Sequence, residues 1–236
     1  MNYQLIGDAL QALMVNLEPD EAVVAEASAM LFCNGAIQFD IGSHVGGGIQ
    51  SAESGDTLLL THFRCLSPGG QVCFSAPVPG KVHALELDGG PWLVTRDAFL
   101  CATAGITHEA AFSRVFSGFL GGENLVLRRA SGSGTLWLQI GGGVVESTLE
   151  KGQTVRVDAG ALAAFEESVN YEIAPLSGHK NRVAGGEGLL LATLSGPGRI
   201  LLQTLPASRL HGHLNRSDNR GDARPHVPYS GGVGIL

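Results

Sequence analysis

GGENLVLRRASGSGTLWLQI, residues 121–140, recurs 64 positions later as GGEGLLLATLSGPGRILLQT, residues 185–204. The two stretches share Gly-Gly-Glu, a Leu-x-Leu run, Ser-Gly-x-Gly, an apolar pair and a glutamine, all in register. A recurrence of this kind indicates repeated supersecondary units that share one core. The repeated phrase therefore predicts a feature of the fold and does not by itself indicate a chemical activity.

A second phrase precedes the first one along the chain. It begins at Leu17 as LEPDEAVVAEASAMLFC and at Leu149 as LEKGQTVRVDAGALAAF, with a degenerate version, LELDGGPWLVTRDAFLCA, from Leu85. A looser third copy of the first phrase, GDTLLLTHFRCLSPGGQVCFS, begins at Gly55. The order is second phrase and then first phrase, three times over. The sequence thus predicts three units, at about residues 6–75, 76–140 and 141–205.

Each unit is predicted to consist of β-strands and turns. TVRVDAG, residues 154–160, alternates apolar and polar residues, which is the period of a half-buried strand. Residues 124–140 hold two such runs around a glycine-rich reversal, which predicts a β-hairpin. The predicted fold class is all-β: three tandem β-sandwich or β-hairpin units with a pseudo-threefold repeat, similar to a double-stranded β-helix. One domain covers residues 1–205, and residues 206–236 form a tail rich in Arg, His, Asp, Gly and Pro.

Several polar residues and glycines recur at matching points of the units. We interpret them as structural: the carboxylates cap turns, the serine hydroxyls bond to turn backbone, and the glycines permit the reversal. An acidic ring that binds a cation near the repeat axis is the alternative for the carboxylates. The positions are Asp56, Glu123, Glu187, Ser131, Ser195, Gly134 and Gly198.

A phenylalanine-rich segment, residues 109–124, stands apart from the repeats. Its apolar residues follow the i, i+3, i+4, i+7, i+8 spacing of one helical face, so the sequence predicts a helix there. That face either packs on the sheet or contacts a partner protein, a second subunit or a membrane surface. The apolar positions are Phe112, Val115, Phe116, Phe119 and Leu120.

Composition limits the classes of function. The 236 residues are 44% hydrophobic and 16% charged, and the 34 glycines are about twice the usual number. The net charge of −7 opposes a nucleic-acid surface, so no nucleic-acid partner is expected. The four cysteines make no C-x-x-C pair and sit in apolar stretches, which is typical of reduced, buried thiols. With no signal peptide and no apolar run of about 20 residues, the expected location is the cytoplasm.

The quoted phrases resemble a known family. Two groups of residues resemble the family named for altered inheritance of mitochondria, the twenty-fourth protein in that naming series. They are Val157-Asp158-Ala159-Gly160-Ala161 with Phe165, and Gly186-Glu187-Gly188 with Ser195-Gly196-Pro197-Gly198 and Gln203. The resemblance covers most of residues 3–205. It implies an all-β, threefold-repeated fold similar to the tryptophan RNA-binding attenuation protein. Because that family has no established catalytic residues, the resemblance implies no reaction.

No motif for catalysis or for a cofactor is found in the sequence. The histidines occupy no shared repeat position, and His211-Gly212-His213 lies in the tail. The frames of a nucleophile elbow and of a phosphate-binding loop are absent. We therefore predict a non-enzymatic scaffold or binding protein that self-associates or contacts a protein partner or a membrane. The alternative is a small-molecule or metal-binding β protein, either a binding protein or an enzyme, with a pocket between units.

Overall fold

The chain folds into antiparallel β-sheets. The computed structural model describes residues 1–41, 60–115, 124–175, 190–207 and 209–210. The first third contains β1 (Asn2–Ile6), β2 (Ala12–Leu17), β3 (Ala22–Glu26), β4 (Met30–Cys33), β5 (Ile37–Ile41), β6 (Leu60–Cys65) and β7 (Gly70–Ser75). The middle third contains β8 (Gly80–Asp88), β9 (Trp92–Thr95), β10 (Phe99–Thr103), β11 (Ile106–Val115) and β12 (Asn124–Gly141). The last third contains β13 (Val144–Leu149), β14 (Thr154–Asp158), β15 (Leu162–Glu166), β16 (Asn170–Pro175), β17 (Leu190–Ser195) and β18 (Gly198–Gln203).

The strands pair by the same scheme in each third. In the first, β2 and β4 flank β7, while β3 and β5 flank β6. In the middle, β8 and β10 pair with the C-terminal half of β12, while β9 and β11 pair with its N-terminal half. In the last, β13 and β15 flank β18, while β14 and β16 flank β17. Each third therefore holds two three-stranded sheets, and β1 adds a fourth strand beside β2.

Two strand pairs join the thirds to one another. β3 pairs with β10, and β9 pairs with β15. Because each of these pairs links a strand of one third to a strand of the next, the sheets run on across both boundaries. A 3-10 turn connects β3 to β4, β9 to β10 and β14 to β15, at Ala27–Ala29, Arg96–Ala98 and Ala159–Ala161 respectively.

Three clusters of buried apolar side chains fill the space between the sheets. The first core contains Leu13, Val15, Val23, Phe63, Phe74 and, from the middle third, Leu100, Cys101 and Trp137. The second core contains Leu85, Trp92, Val94, Phe99, Leu138 and, from the last third, Ala163, Ala164 and Leu201. The third core contains Leu149, Leu162, Phe165, Leu194, Ile200 and, from the middle third, Leu93 and Leu127. Each core is therefore built partly by a neighbouring third.

The hairpin prediction for residues 124–140 is wrong. β12 runs unbroken through the glycine-rich stretch, and its two halves belong to the two sheets of the middle third. Gly132 and Gly134 have φ angles of 118° and 141°, which let the strand bend from one sheet to the other without reversing. The equivalent strands β17 and β18 also lie in different sheets and do not pair with each other.

The helix prediction for residues 109–124 is wrong over residues 109–115. These residues belong to β11, where Phe112 is opposite Leu127 and Val115 is opposite Asn124. The long pairing with β12 supplies a hydrogen-bonding partner along the whole of β11, and such tertiary pairing overrides a local apolar spacing. Phe116, Phe119 and Leu120 lie outside the described residues.

Candidate functional site at two unpaired sheet edges

β4 differs from its counterparts in the number of strands beside it. β10 lies between β12 and β3, and β15 lies between β18 and β9. Within the described ranges β4 pairs only with β7, so it forms the edge of the sheet β1-β2-β7-β4. An unpaired edge presents backbone N–H and C=O groups that can hydrogen-bond to another strand.

The outer face of β4 is apolar and exposed. Leu31 is 60% exposed and Phe32 is 46% exposed. Each counterpart in the other two thirds is at most 1% exposed: Leu100 and Cys101 on β10, and Ala163 and Ala164 on β15. The correspondence follows from register, because Phe32, Cys101 and Ala164 each follow a β-bulge and pair with Cys73, Trp137 and Leu201 respectively.

The covered counterparts show what buries such a face. Leu100, Cys101 and Trp137 pack into the first core, and Ala163, Ala164 and Leu201 pack into the second core. In both cases the preceding third of the chain provides the cover. We call the exposed face of β4 the open face and define it as Leu31 and Phe32, which no strand of another third covers within the described residues.

β14 is an edge strand of a different sheet, β14-β17-β16. Its counterparts β3 and β9 each lie between two strands, whereas β14 pairs only with β17 in the part of the chain that the structure describes. Val24 on β3 and Leu93 on β9 are buried, but Arg156, which holds the same position on β14, is exposed. β4 is thus the counterpart of β10 and β15, and β14 is the counterpart of β3 and β9. Those four strands pair with one another inside the chain, at β3–β10 and β9–β15.

The two completed junctions share one register. At the first, Cys101, Ala102 and Thr103 are opposite Ala25, Val24 and Val23; at the second, Ala164, Phe165 and Glu166 are opposite Val94, Leu93 and Trp92. Each junction also ends in an equivalent backbone hydrogen bond. Ala104 N donates to Ala22 O at 3.2 Å, and Glu167 N donates to Pro91 O at 3.0 Å. These junctions therefore give a template for a third one.

Ion pairs reinforce the second junction at its solvent-exposed side. Arg129 Nε lies 2.7 Å from Glu167 Oε1, which links the middle third to the last third. Arg199 Nε lies 2.7 Å from Glu166 Oε1, and the Arg199 guanidinium lies 4.9 Å from the centre of the Trp92 ring. Because these groups are partly exposed, each pair contributes on the order of 0–1 kcal/mol, less than the apolar burial beneath them.

Restricted access to solvent shifts the pKa of several titratable side chains, among them His108, Cys73 and Cys101. His108 on β11 packs edge-on against Phe99, with ring centres 4.7 Å apart. Burial and the nearby charge of Arg128 lower the pKa of His108 from 6.5 to about 4. Burial raises the pKa of the Cys73 and Cys101 thiols, so both stay protonated near neutral pH.

The described residues contain no grouping of three or more His, Cys, Asp or Glu side chains suited to a metal ion. All four cysteines are free thiols, and three of them are buried while Cys33 is partly exposed. No helix in the described ranges has the length and apolarity needed to cross a membrane.

The residues predicted from the repeat have separate outcomes. Gly134 and Gly198 have φ angles of 141° and 144°, in a region that favours glycine. The Ser131 and Ser195 hydroxyls lie 3.0 Å and 2.9 Å from the hydroxyls of Thr107 and Thr154, so they bond across strands as well as sitting near the bend. Asp56, Glu123 and Glu187 lie outside the described residues, as do the cation site and the turn caps predicted for them.

Leu31 and Phe32 are not among the residues predicted from the sequence. The signal is present in the second phrase, where LFC at residues 31–33 aligns with AAF at residues 163–165. Two large apolar side chains stand where the last third has two alanines. The sequence alone does not show that β4 is an edge strand. The presence of Leu31 and Phe32 in place of two alanines therefore could not be interpreted as a sign that these side chains are exposed.

The fold is that of an all-β protein of antiparallel sheets, with unpaired strand edges at β4 and β14 in the described residues. The chain belongs to the family described as Mitochondrial biogenesis AIM24, whose model matches residues 3–205. This confirms the resemblance identified from the repeated phrases.

Two relatives from Streptococcus pyogenes are similar to the chain. An uncharacterized protein of serotype M6 is 27% identical over 178 residues, which covers 75% of this chain and 70% of that protein. An X-ray crystal structure of a protein from the same species superposes with a TM-score of 0.74 at 23% identity, covering 92% of this chain and 99% of that chain. The second likeness shows that the two proteins share a fold.

Proposed function

We propose that the protein is a non-enzymatic scaffold that acts by self-assembly through its open face. The observation that carries this proposal is the exposure of Leu31 and Phe32 at a position that is buried in both other thirds. Burying a leucine or phenylalanine side chain contributes roughly 1.5–3 kcal/mol. Association with a second molecule that covers the open face is therefore favourable, because it buries side chains that stay exposed in the isolated chain.

We also propose that the three thirds are tandem copies of one unit with a pseudo-threefold repeat, as in the attenuation protein that the family resemblance implies. The shared pairing scheme, the equivalent 3-10 turns and the matching φ angles of Gly134 and Gly198 support this relation. In a tandem array, neighbouring copies bury each other's faces and the terminal faces stay open. The exposure of Leu31 and Phe32 fits a unit whose face no other described unit covers.

The test compares a double lysine variant of the open face with wild type. We expect wild type to form oligomers whose proportion rises with concentration in sedimentation-velocity experiments. Leu31→Lys with Phe32→Lys is expected to remain monomeric across the same range, because burying two unpaired charges at an apolar contact is strongly unfavourable. Since both side chains are exposed, the variant should keep the wild-type unfolding midpoint.

The matched control is Val144→Lys with Val145→Lys, which charges another exposed apolar pair, on β13. This control should assemble like wild type. The proposal is wrong if wild type is monomeric at every concentration, or if the open-face variant keeps the wild-type mass. A wild type that stays monomeric but co-sediments with lipid vesicles through Leu31 and Phe32 also contradicts it, because the face then serves a membrane.

A further inference from the structure

We infer that a second copy of this chain adds its β14 to the β4 edge of the first, in antiparallel register with Arg156 opposite Cys33. This inference rests on the proposed self-assembly and specifies its geometry. β4 and β14 are the counterparts of strands that already pair inside the chain, so each edge has a partner of known type. The open face would be covered by the last third of a neighbouring molecule.

The register follows from the two internal junctions. β10 lies antiparallel to β3 of the preceding third and β15 lies antiparallel to β9 of the preceding third, with the same offset. Cys33 has the position of Ala102 and Phe165, and Arg156 has the position of Val24 and Leu93. Transferring that register places Phe32, Cys33 and Asn34 opposite Val157, Arg156 and Val155. The terminal hydrogen bond at each internal junction likewise predicts a bond from Gly35 N to Thr154 O.

The side chains at the two edges complement each other in size. At the second internal junction Phe165 and Leu93 fill the contact, whereas the third junction would bring together a small cysteine and a long arginine. The aliphatic stem of Arg156 can cover apolar surface beside Cys33 while its guanidinium reaches solvent. A charge on an edge strand also opposes pairing in other registers, so Arg156 selects this register over slipped ones.

The contact would be head-to-tail. Each molecule carries one β4 edge and one β14 edge, and these two surfaces differ, so every copy can contact one neighbour at each end. A heterologous contact of this kind produces closed rings or open filaments and does not stop at a symmetric dimer. The same sheet ends at β1 on its other side, but neither internal junction pairs a counterpart of β1, so β4 is the edge for which the junctions give a template.

The register is tested by one engineered thiol. Directly opposed residues of antiparallel strands have Cα atoms about 4.5–5.5 Å apart, which is within the range that a disulfide spans. Arg156→Cys should therefore form a disulfide with the native Cys33 of a neighbouring molecule under mild oxidation by copper phenanthroline and oxygen. The two thiols lose two protons and two electrons, which the oxidant accepts. Because each molecule has both thiols, a non-reducing gel should show a ladder of dimers, trimers and larger species.

Three controls distinguish a disulfide formed in the inferred register from one formed because two thiols are merely close together. Wild type should give no ladder, since its other thiols are buried. Arg156→Cys combined with Cys33→Ser should give none, because the native partner is gone. Val155→Cys should give at most a faint ladder, since adjacent residues on a strand point to opposite faces of the sheet.

The outcomes distinguish this inference from the proposal beneath it. A ladder limited to Arg156→Cys with Cys33 present supports the register. Oligomers that need Leu31 and Phe32 but form no Arg156→Cys crosslink overturn the register and leave self-assembly standing. A disulfide that forms within a single chain, seen as a fast-migrating monomer, overturns the inference because the chain then closes its own third junction. Absence of any oligomer overturns both.

Discussion

Individual polar side chains are buried in this protein to hold turns in place. Gln203 Nε2 donates to Gly160 O at 3.1 Å, and Gln203 Oε1 accepts from Gly141 N at 3.1 Å. Gln139, 64 positions earlier, donates from Nε2 to Asp97 O. Gly160 and Asp97 are the central residues of equivalent 3-10 turns, so the glutamine that recurs in the sequence ties each turn to the strand beneath it. Such bonds satisfy polar groups that burial would otherwise leave unpaired.

His108 is predicted to make the protein less stable in acid. Its pKa is lowered to about 4 in the folded state from an ordinary value of 6.5, so the unfolded chain binds the proton first. Stability is therefore unaffected by this group above pH about 6.5 and is lost as pH falls from there to about 4. The full effect is on the order of 3 kcal/mol at 1.4 kcal/mol per pKa unit.

The measurement is urea unfolding of wild type and His108→Phe at pH 7 and pH 4. The phenylalanine keeps a ring against Phe99 and cannot be protonated, so the variant should lose less stability between the two pH values than wild type. If both proteins lose the same free energy of unfolding, His108 does not contribute to acid sensitivity.

At the scale of elements, the sequence predicts strand content well and strand connection poorly. The alternating pattern in TVRVD is the strand β14, and the repeated phrases correspond to strands that pair alike in each third. The glycine-rich stretch predicts a hairpin wrongly because glycine permits both a reversal and a bend. Only the pairing of each half with different neighbours distinguishes the two, and that information lies in residues far away along the chain. The phenylalanine spacing fails for the same reason.

Replacing Gly134 or Gly198 with alanine is predicted to destabilise the protein. A Cβ on Gly198 would lie 2.7 Å from Ser168 Oγ and from Val169 Cγ2, and a Cβ on Gly134 would collide with Thr103 Oγ1. Positive φ adds a backbone penalty of roughly 1–3 kcal/mol. We expect Gly134→Ala and Gly198→Ala each to lower the free energy of unfolding by at least about 2 kcal/mol in urea titrations.

Gly152→Ala serves as the matched control for this prediction. Gly152 also has a positive φ, of 85°, but a methyl group added there would meet no heavy atom within 4 Å. The control should show the backbone penalty alone and so a smaller loss. If alanine at one of Gly134 and Gly198 left the free energy of unfolding unchanged, the two glycines would not have equivalent structural roles.

At the scale of the whole molecule, the thirds depend on one another through their shared cores. Leu100 and Trp137 of the middle third complete the first core, and Leu93 and Leu127 complete the third. Two such junctions lie within the described chain, at β3–β10 and β9–β15. Which edges remain open follows from the order of the pairings, and the local sequence of β4 does not reveal it. The candidate site could therefore be recognised only after the topology was known.

Equivalent leucines are predicted to respond differently to truncation. Leu100→Ala removes a buried side chain from a completed junction and should lower the free energy of unfolding by about 2–5 kcal/mol. Leu31→Ala, at the same position of β4, should change it by less than about 0.5 kcal/mol in dilute solution, because that side chain is exposed. Urea titrations at low protein concentration measure both. A large loss for Leu31→Ala would show that the chain itself covers this face.

β12 connects the two sheets of the middle third through one continuous strand. Its 18 residues have a contour of at most about 60 Å, and they carry, without interruption, the sheet that meets the first third and the sheet that meets the last. A tensile load applied at the two ends of the protein would therefore pass through the middle third along a covalent backbone. Rupture should then begin at the junctions between neighbouring thirds, which strand pairing and shared core contacts hold together without a covalent bond.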